Sequence, residues 1–351
     1  MECNCNKRPE ISPAAPMQDL RSRKQNPFLV AINRLGVYVI VLLLIVAGAI
    51  VNPTGFFKMD NLRSVLQAVS ILGMVAAGIS FVVYSANFND MSAPMIISLA
   101  GMISVSAIRM GFIPAVLIGT LTGTSMGVIN GIMIGKFRAH PIVWSMAFNF
   151  VLSGIVRWLY GGNQVYPDMI AGDDSIAVQT FFAISRTNIQ MGEFALPIMV
   201  LVMIVMFIIA AFILARTKFG NQVKIVGSNY EVARLSGINV VGTIIMVYII
   251  AAFCFSIAGI FLASMSKMGA YYNGDGYDFR GCTAVLLGGM TLAGGKGNML
   301  GTFGGVLTMG LLQNVMNLIG ISTFTQYLIL GLTFLLIVWI NTNSDRKLGK
   351  C

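Results

Sequence analysis

Residue types that do chemistry are scarce in this 351-residue chain and poorly spaced for it. A Ser-His-Asp arrangement would have to use the single histidine, His140, which stands directly before Pro141. A helix-entry residue ahead of a first-turn proline is the simpler reading. The five cysteines, Cys3, Cys5, Cys254, Cys282 and Cys351, make one C-x-C and no second pair, so neither a zinc site nor a disulfide framework is expected. No H-E-x-x-H or comparable ligand spacing occurs, and no metal is assigned. The run LLGGMTLAGGKGNMLG at 286–301 imitates a phosphate loop. Met290 stands where that pattern needs glycine, and Gly297 where it needs Ser or Thr. Glycines so grouped suit a tight re-entrant or inter-helix turn, because they reach backbone geometry that other residues avoid. The chain is expected to be no enzyme and to carry no cofactor.

Uncharged polar residues inside apolar runs remain: Asn130, Asn149, Gln313, Asn314, Asn317 and Gln326. In a lipid-embedded helix such groups hydrogen-bond to neighbouring helices, or they line a path for a hydroxylated solute. Both readings stay open. All 13 acidic residues fall at ends of the apolar runs or in connections, with Asp90 the deepest. Ion-coupled carriers depend on intramembrane ionisable groups. A chain lacking them draws its energy from elsewhere or transports passively.

The elements that position these residues follow from composition. The chain is 56% hydrophobic and 10% charged, with a mean hydropathy of +0.81. A soluble domain carries about 25% charged residues, so lipid is the fitting solvent. The net charge of +10 does not mark a nucleic-acid binder, because the basic residues sit in short connections instead of on one face with aromatics. The apolar runs are continuous, which favours helices over the alternating strands of a barrel. Ten are found, at 35–51, 62–84, 91–108, 112–135, 141–160, 194–215, 241–267, 280–292, 299–319 and 324–340. A crossing needs about 20 residues, so the eighth is expected to be broken, tilted or half-buried. The fold expected is an all-α, polytopic transmembrane helical bundle of about ten spans with both termini cytoplasmic. That topology puts 16 of the 23 basic residues on the cytoplasmic side.

Polar tails at 1–33 (disordered at its start) and 342–351 flank the transmembrane domain at 34–341. The basic, helix-prone connection 216–240 lies inside. The connection 161–193, with Asp168, Asp173, Asp174 and Glu193, lies outside as a solvated loop or a landing site for a soluble partner. Gly119, Gly123, Gly127, Gly131 and Gly135 recur every fourth residue, giving one run a smooth face for close packing. Gly297, Gly301, Gly304 and Gly305 are expected to act similarly.

Three segments together resemble the permease subunits of ribose-type bacterial sugar ABC importers. They are ARLSGIN at 233–239 after Thr217-Lys218-Phe219-Gly220, GDGYD at 274–278, and AVLLGGMTLAGGKG at 284–297 continued by Gly301-Thr302. The resemblance covers about residues 56–340. It implies a multi-pass protein of the bacterial cytoplasmic membrane that moves a small sugar or sugar-like solute inward. It also implies a cytoplasmic ATP-binding subunit carrying ATP and Mg, an extracytoplasmic solute-binding protein, and a second permease subunit in a homo- or heterodimer. Glu231, Ala233, Arg234 and Gly237 look like the loop by which importer permeases dock on the ATPase. Gly294, Gly295, Lys296 and Gly297 form the family-motif turn.

One stretch departs from the family. Members carry G-G-I-D-L-S after the second span, and here the corresponding residues are 87–92, NFNDMS. Asp90 and Ser92 remain, while the glycine pair and the isoleucine do not, so a turn of different shape is expected. Asn87, Asn89, Asp90 and Asn314 are assigned to the translocation pathway. The rival readings are a permease for branched-chain amino acids or nucleosides and, from another class, a stand-alone carrier or channel.

Overall fold

The computed structural model describes residues 27–172, 174–191 and 194–347. Cys3, Cys5, Cys351, Asp173, Glu193 and most of the two tails lie outside them. Residues 1–36 form a unit apart from residues 37–351, and its described part, 27–36, is the helical opening of α1.

Fifteen α-helices occur among the described residues: α1 (Pro27–Val51), α2 (Pro53–Phe56), α3 (Met59–Tyr84), α4 (Ala93–Ser106), α5 (Phe112–Gly135), α6 (Pro141–Tyr160), α7 (Pro167–Ala171), α8 (Ile176–Arg186), α9 (Ile198–Arg216), α10 (Lys218–Ser228), α11 (Tyr230–Leu235), α12 (Val240–Ser266), α13 (Tyr277–Leu287), α14 (Met299–Leu318) and α15 (Thr323–Lys347). A short hairpin, β1 (Asn188–Met191) with β2 (Phe194–Pro197), leads into α9. Six helices (α3, α5, α6, α9, α12 and α14) are long and apolar enough to cross a membrane, and α1, α4 and α15 hold shorter apolar stretches. The chain is a polytopic helical membrane protein. The first helix starts at Pro27, ahead of the tail boundary expected at 33, as proline at a first helical turn permits.

Most of α3, α12 and α14 is buried, whereas α5, α6 and α9 turn most of their apolar surface outward. The glycine face of α5 explains its close seat on α12 and α4. A Cβ on Gly131 would stand 2.7 Å from the Ile245 Cα, and one on Gly127 would stand 2.6 Å from the Tyr248 carbonyl oxygen. At Gly119 the obstacle would be the Ala100 carbonyl oxygen, at 2.7 Å. Any side chain along this stripe would push two backbones apart. Gly301 and Gly305 admit α13 in the same way, with Gly305 set against Ala284. Gly304 faces Val37 and Tyr38 of α1 instead.

The 161–193 connection is no loose loop. Val178 and Phe181 of α8 are buried against Val105 and Ile260, and the Ser264 hydroxyl donates to the Phe181 carbonyl at 2.5 Å. It folds as a cap over the ends of α4 and α12.

Two elements are too short to cross. With 14 and 11 residues, α4 and α13 rise about 21 and 16 Å at 1.5 Å per residue, against a hydrocarbon core about 30 Å thick. Their starting ends therefore lie inside the bundle. The connection between α12 and α13 runs back along α4: Gly269 packs on Met102, and Gly274 packs on Pro94 while its N–H donates to the Ser98 hydroxyl at 2.9 Å. The eighth run, expected to fall short of a full crossing, is one of these two short helices, and the third run is the other.

Candidate functional site

The unwound stretch 85–92, between α3 and α4, meets the first turn of α13 inside the fold. The Asn89 side-chain amide donates to the Asp278 carbonyl at 3.3 Å, and both residues are buried. Non-helical backbone at such depth survives only where protein covers it or where it lines a cavity.

The 85–92 stretch is held from three sides. The Asp90 carboxylate accepts from the Ser92 N–H at 2.9 Å and the Ser92 hydroxyl at 2.6 Å. Asn130 of α5 donates to the Ser92 hydroxyl at 2.7 Å and is itself oriented by the Trp144 indole N–H at 3.0 Å. The Met91 N–H donates to the Ser145 hydroxyl of α6 at 3.1 Å. Asn130 is thus bonded to a neighbouring segment, the first of its two open readings. Sequence reasoning missed Trp144 and Ser145, since neither carries a charge or motif signal. Asp278 was visible in GDGYD as a motif residue without a role.

One expectation changes here. Asp90 and Asp278 do stand at element ends, yet both are buried, at 1% and 8% exposure. Helix ends lie inside the protein when the helices are short. Where the family's second glycine stands, Phe88 has φ of +62°, as does Ala86. A bulky residue in that region is an outlier.

Asn314 does not join this junction. It exchanges amide hydrogen bonds with Asn61, at 2.7 and 3.3 Å, near the start of α3. From Asn61 to the far end of that helix, where the 85–92 stretch begins, the rise is about 35 Å. Asn87 turns inward and donates to the Ser85 hydroxyl at 2.7 Å.

The family-motif turn ties the 85–92 stretch to the 216–240 connection. Gly294, Gly295 and Gly297 have φ of +74°, +66° and +145°. The Gly295 N–H donates to the Tyr84 carbonyl at 2.9 Å. A Cβ on Gly294 would meet Ala86, and one on Gly295 would meet Ser228, the last residue of α10. A Cβ on Gly227 would lie 2.9 Å from the Gly295 nitrogen. Three backbones meet with almost no side chains between them. Lys296 projects from the turn as an exposed residue.

Beyond α10, the Asn229 side chain caps α11 by accepting from the N–H groups of Glu231 and Val232 at 3.0 and 3.1 Å. Glu231 and Arg234 are exposed and 3.9 Å apart, a spacing worth little in water. Ala233 is fully buried, so it seats α11 on the bundle and offers no outward contact. Val232 and Leu235 project instead, at 51% and 83% exposure. Gly237 follows at φ +75° with open space around it.

A profile described as branched-chain amino acid transport system / permease component matches residues 61–338. The L-arabinose transport system permease protein of Escherichia coli K12 is 32% identical over 307 residues, 86% of this chain and 88% of the relative. The ribose import permease protein of the same organism is 29% identical over 308 residues, 87% of this chain and 93% of the relative. Its Bacillus subtilis counterpart is 29% identical over 317 residues, 90% and 93% of the two chains. No solved structure matches the chain. With 278 of its residues inside the matched region and relatives aligned over most of their length, this chain belongs to the branched-chain amino acid transport system / permease component family.

Proposed function

We propose that this permease moves a small sugar into the cell across the bacterial cytoplasmic membrane, driven by ATP hydrolysis on a separate subunit. The named relatives are permeases for ribose and L-arabinose, which favours a sugar over a branched-chain amino acid or a nucleoside. One observation carries the mechanism: the unwound 85–92 stretch meets the first turn of α13 at Asn89 and Asp278, and it is joined through the glycine turn to the end of α10. Discontinuous helices are where transporters place their solute sites. A backbone-to-backbone junction passes displacement on with little slack, because packed interfaces are bistable and not continuously deformable.

In this reading ATP and magnesium act only on the partner. The partner docks on α10 and α11, gripping Glu231, Val232, Arg234 and Leu235, and its closure pushes Gly227 and Ser228 against Tyr84 and the 294–297 turn. The 85–92 stretch then shifts relative to α13, and access changes side. Coupling requires only that the partner bind the two arrangements with different affinity. The helices α1, α3, α4, α5, α6, α9, α12, α13, α14 and α15 make ten full or partial crossings, with the tails and α10–α11 cytoplasmic. The α7–α8 cap, exposing Met169 and Ile176, receives the solute-binding protein. A second permease copy or homologue completes the pore.

Purification from native membranes in mild detergent tests the assembly. A stoichiometric ATP-binding chain is expected, and the same preparation shows whether one or two kinds of permease are present. Repeated recovery of the chain alone, while control complexes survive that detergent, would turn the reading toward a stand-alone carrier or channel.

A further inference from the structure

The two helices that hold the 90–92 end of the unwound stretch, α5 and α6, are joined by residues 136–140. Asn130 lies five residues before the end of α5, and Ser145 four residues after the start of α6. Both therefore stand within about 8 Å of the connection along the helix axes. The Trp144 indole bonds to Asn130 at 3.0 Å, which ties the two helices together at this level. Arg138, in the middle of the connection, has φ of +56°. Residues other than glycine seldom adopt that backbone, and such strain collects at functional segments. The Arg138 side chain is exposed and reaches α11. Its guanidinium donates to the Tyr230 hydroxyl at 3.1 Å and lies 5.2 Å from the centre of that ring. Tyr230 is the first residue of α11, directly before Glu231.

We propose that Arg138 is a positioning residue for ATP coupling: it hooks the α5–α6 connection to α11, so that α10 and α11 act on both ends of the 85–92 stretch. The glycine turn takes the Tyr84 end, through the Gly295 N–H. The Arg138 link takes the 90–92 end, through Asn130 on the Ser92 hydroxyl and Ser145 on the Met91 N–H. Coupling between distant sites is carried by such chains of hydrogen bonds and packed helices. A segment without helical hydrogen bonds bends when pushed at one end, whereas one held at both ends is displaced whole. A cation on an aromatic ring stabilises little at an exposed site and more once water is removed. The contact thus strengthens when a partner covers α11. This rests on the docking reading above and deepens it by adding a second route.

The test uses the complete transporter in proteoliposomes, with labelled D-ribose and L-arabinose as probes and ATP hydrolysed per sugar taken up as the readout. Arg138→Gly removes the link and relaxes the backbone in one change. It is expected to assemble in normal yield and to melt no lower than the unsubstituted complex, while ATP hydrolysed per sugar rises at least threefold. Arg138→Lys keeps a cation near the ring and is expected to restore part of the ratio. Lys136→Ala removes a cation of the same connection that lies 6.0 Å from the ring centre of its neighbour Phe137. It is the matched control and should leave the ratio unchanged. An unchanged ratio in Arg138→Gly overturns the proposal, and so does an equal rise in Lys136→Ala, which would mark a charge effect. A lower melting temperature in Arg138→Gly overturns it as well, because the contact then serves stability. Loss of the ATP-binding subunit from that variant overturns it by placing Arg138 in the docking surface itself. Absence of ATP-dependent uptake of both sugars by the unsubstituted complex overturns the transport reading instead, a result distinct from all of these.

Discussion

Asn89 and Asp278 are 189 residues apart in sequence and meet side chain to backbone at 3.3 Å, where two interrupted helices face each other. Asn89 lies in a stretch that the helical ladder does not satisfy, and the bond ties that stretch to the first turn of α13. Asn89 has its amide nitrogen committed, while its oxygen is buried without a partner. Such a group is costly to keep.

Replacing Asn89 by leucine tests the tie to α13. Removal of one buried hydrogen bond costs about 1 kcal/mol, so the chain is expected to fold and to melt slightly lower in detergent. Uptake in proteoliposomes should fall at least tenfold. Full uptake in Asn89→Leu would show that the 85–92 stretch and α13 move independently.

The left-handed backbone at Phe88 makes a second prediction. A residue with a Cβ costs about 1–2 kcal/mol in that conformation, a cost glycine escapes. Phe88→Gly is therefore expected to be more stable than Phe88→Ala by about 1 kcal/mol, although glycine is ordinarily the less stable substitution. Thermal unfolding of the two variants decides the order.

Coupling is tested at Gly237. The open space around it means that bulk alone is tolerated in the isolated chain, where only the positive φ resists a side chain. Gly237→Ala should thus cost about 1–2 kcal/mol and keep transport. Gly237→Trp should also fold, yet lose the ATP-binding subunit on purification. Retention of that subunit at normal stoichiometry by the tryptophan variant would remove Gly237 from the docking surface.

The seat of α5 on α12 gives the largest stability effect. Gly127 has backbone and Ala252 directly against it, so Gly127→Leu has no rotamer that avoids them. Overpacking costs about 1–3 kcal/mol and sometimes more. A lower melting temperature and poor recovery from the membrane are expected. Gly154→Leu, where nothing lies within 4 Å, is the matched control and should behave as the unsubstituted chain.

Composition and local motifs are enough to establish the solvent, the helical class and the family. Continuous apolar runs with charges confined to their ends admit one environment, and the segments at 233–239, 274–278 and 284–297 are local enough to be read without a fold. The every-fourth-residue glycines of α5 were legible for the same reason, because helical periodicity alone puts them on one face. Tertiary structure alone decided which ends are inside. Asp90 and Asp278 look like boundary residues in sequence and are buried, because α4 and α13 begin within the bundle and other helices close over them. Ala233 reads as part of a docking motif and is packed inward, while Val232 and Leu235 beside it face out. Asn314 shares its amide type with Asn87 and Asn89 and sits near the opposite end of α3 from them. Depth and partnership depend on contacts between segments far apart in the chain, and residue type does not encode these.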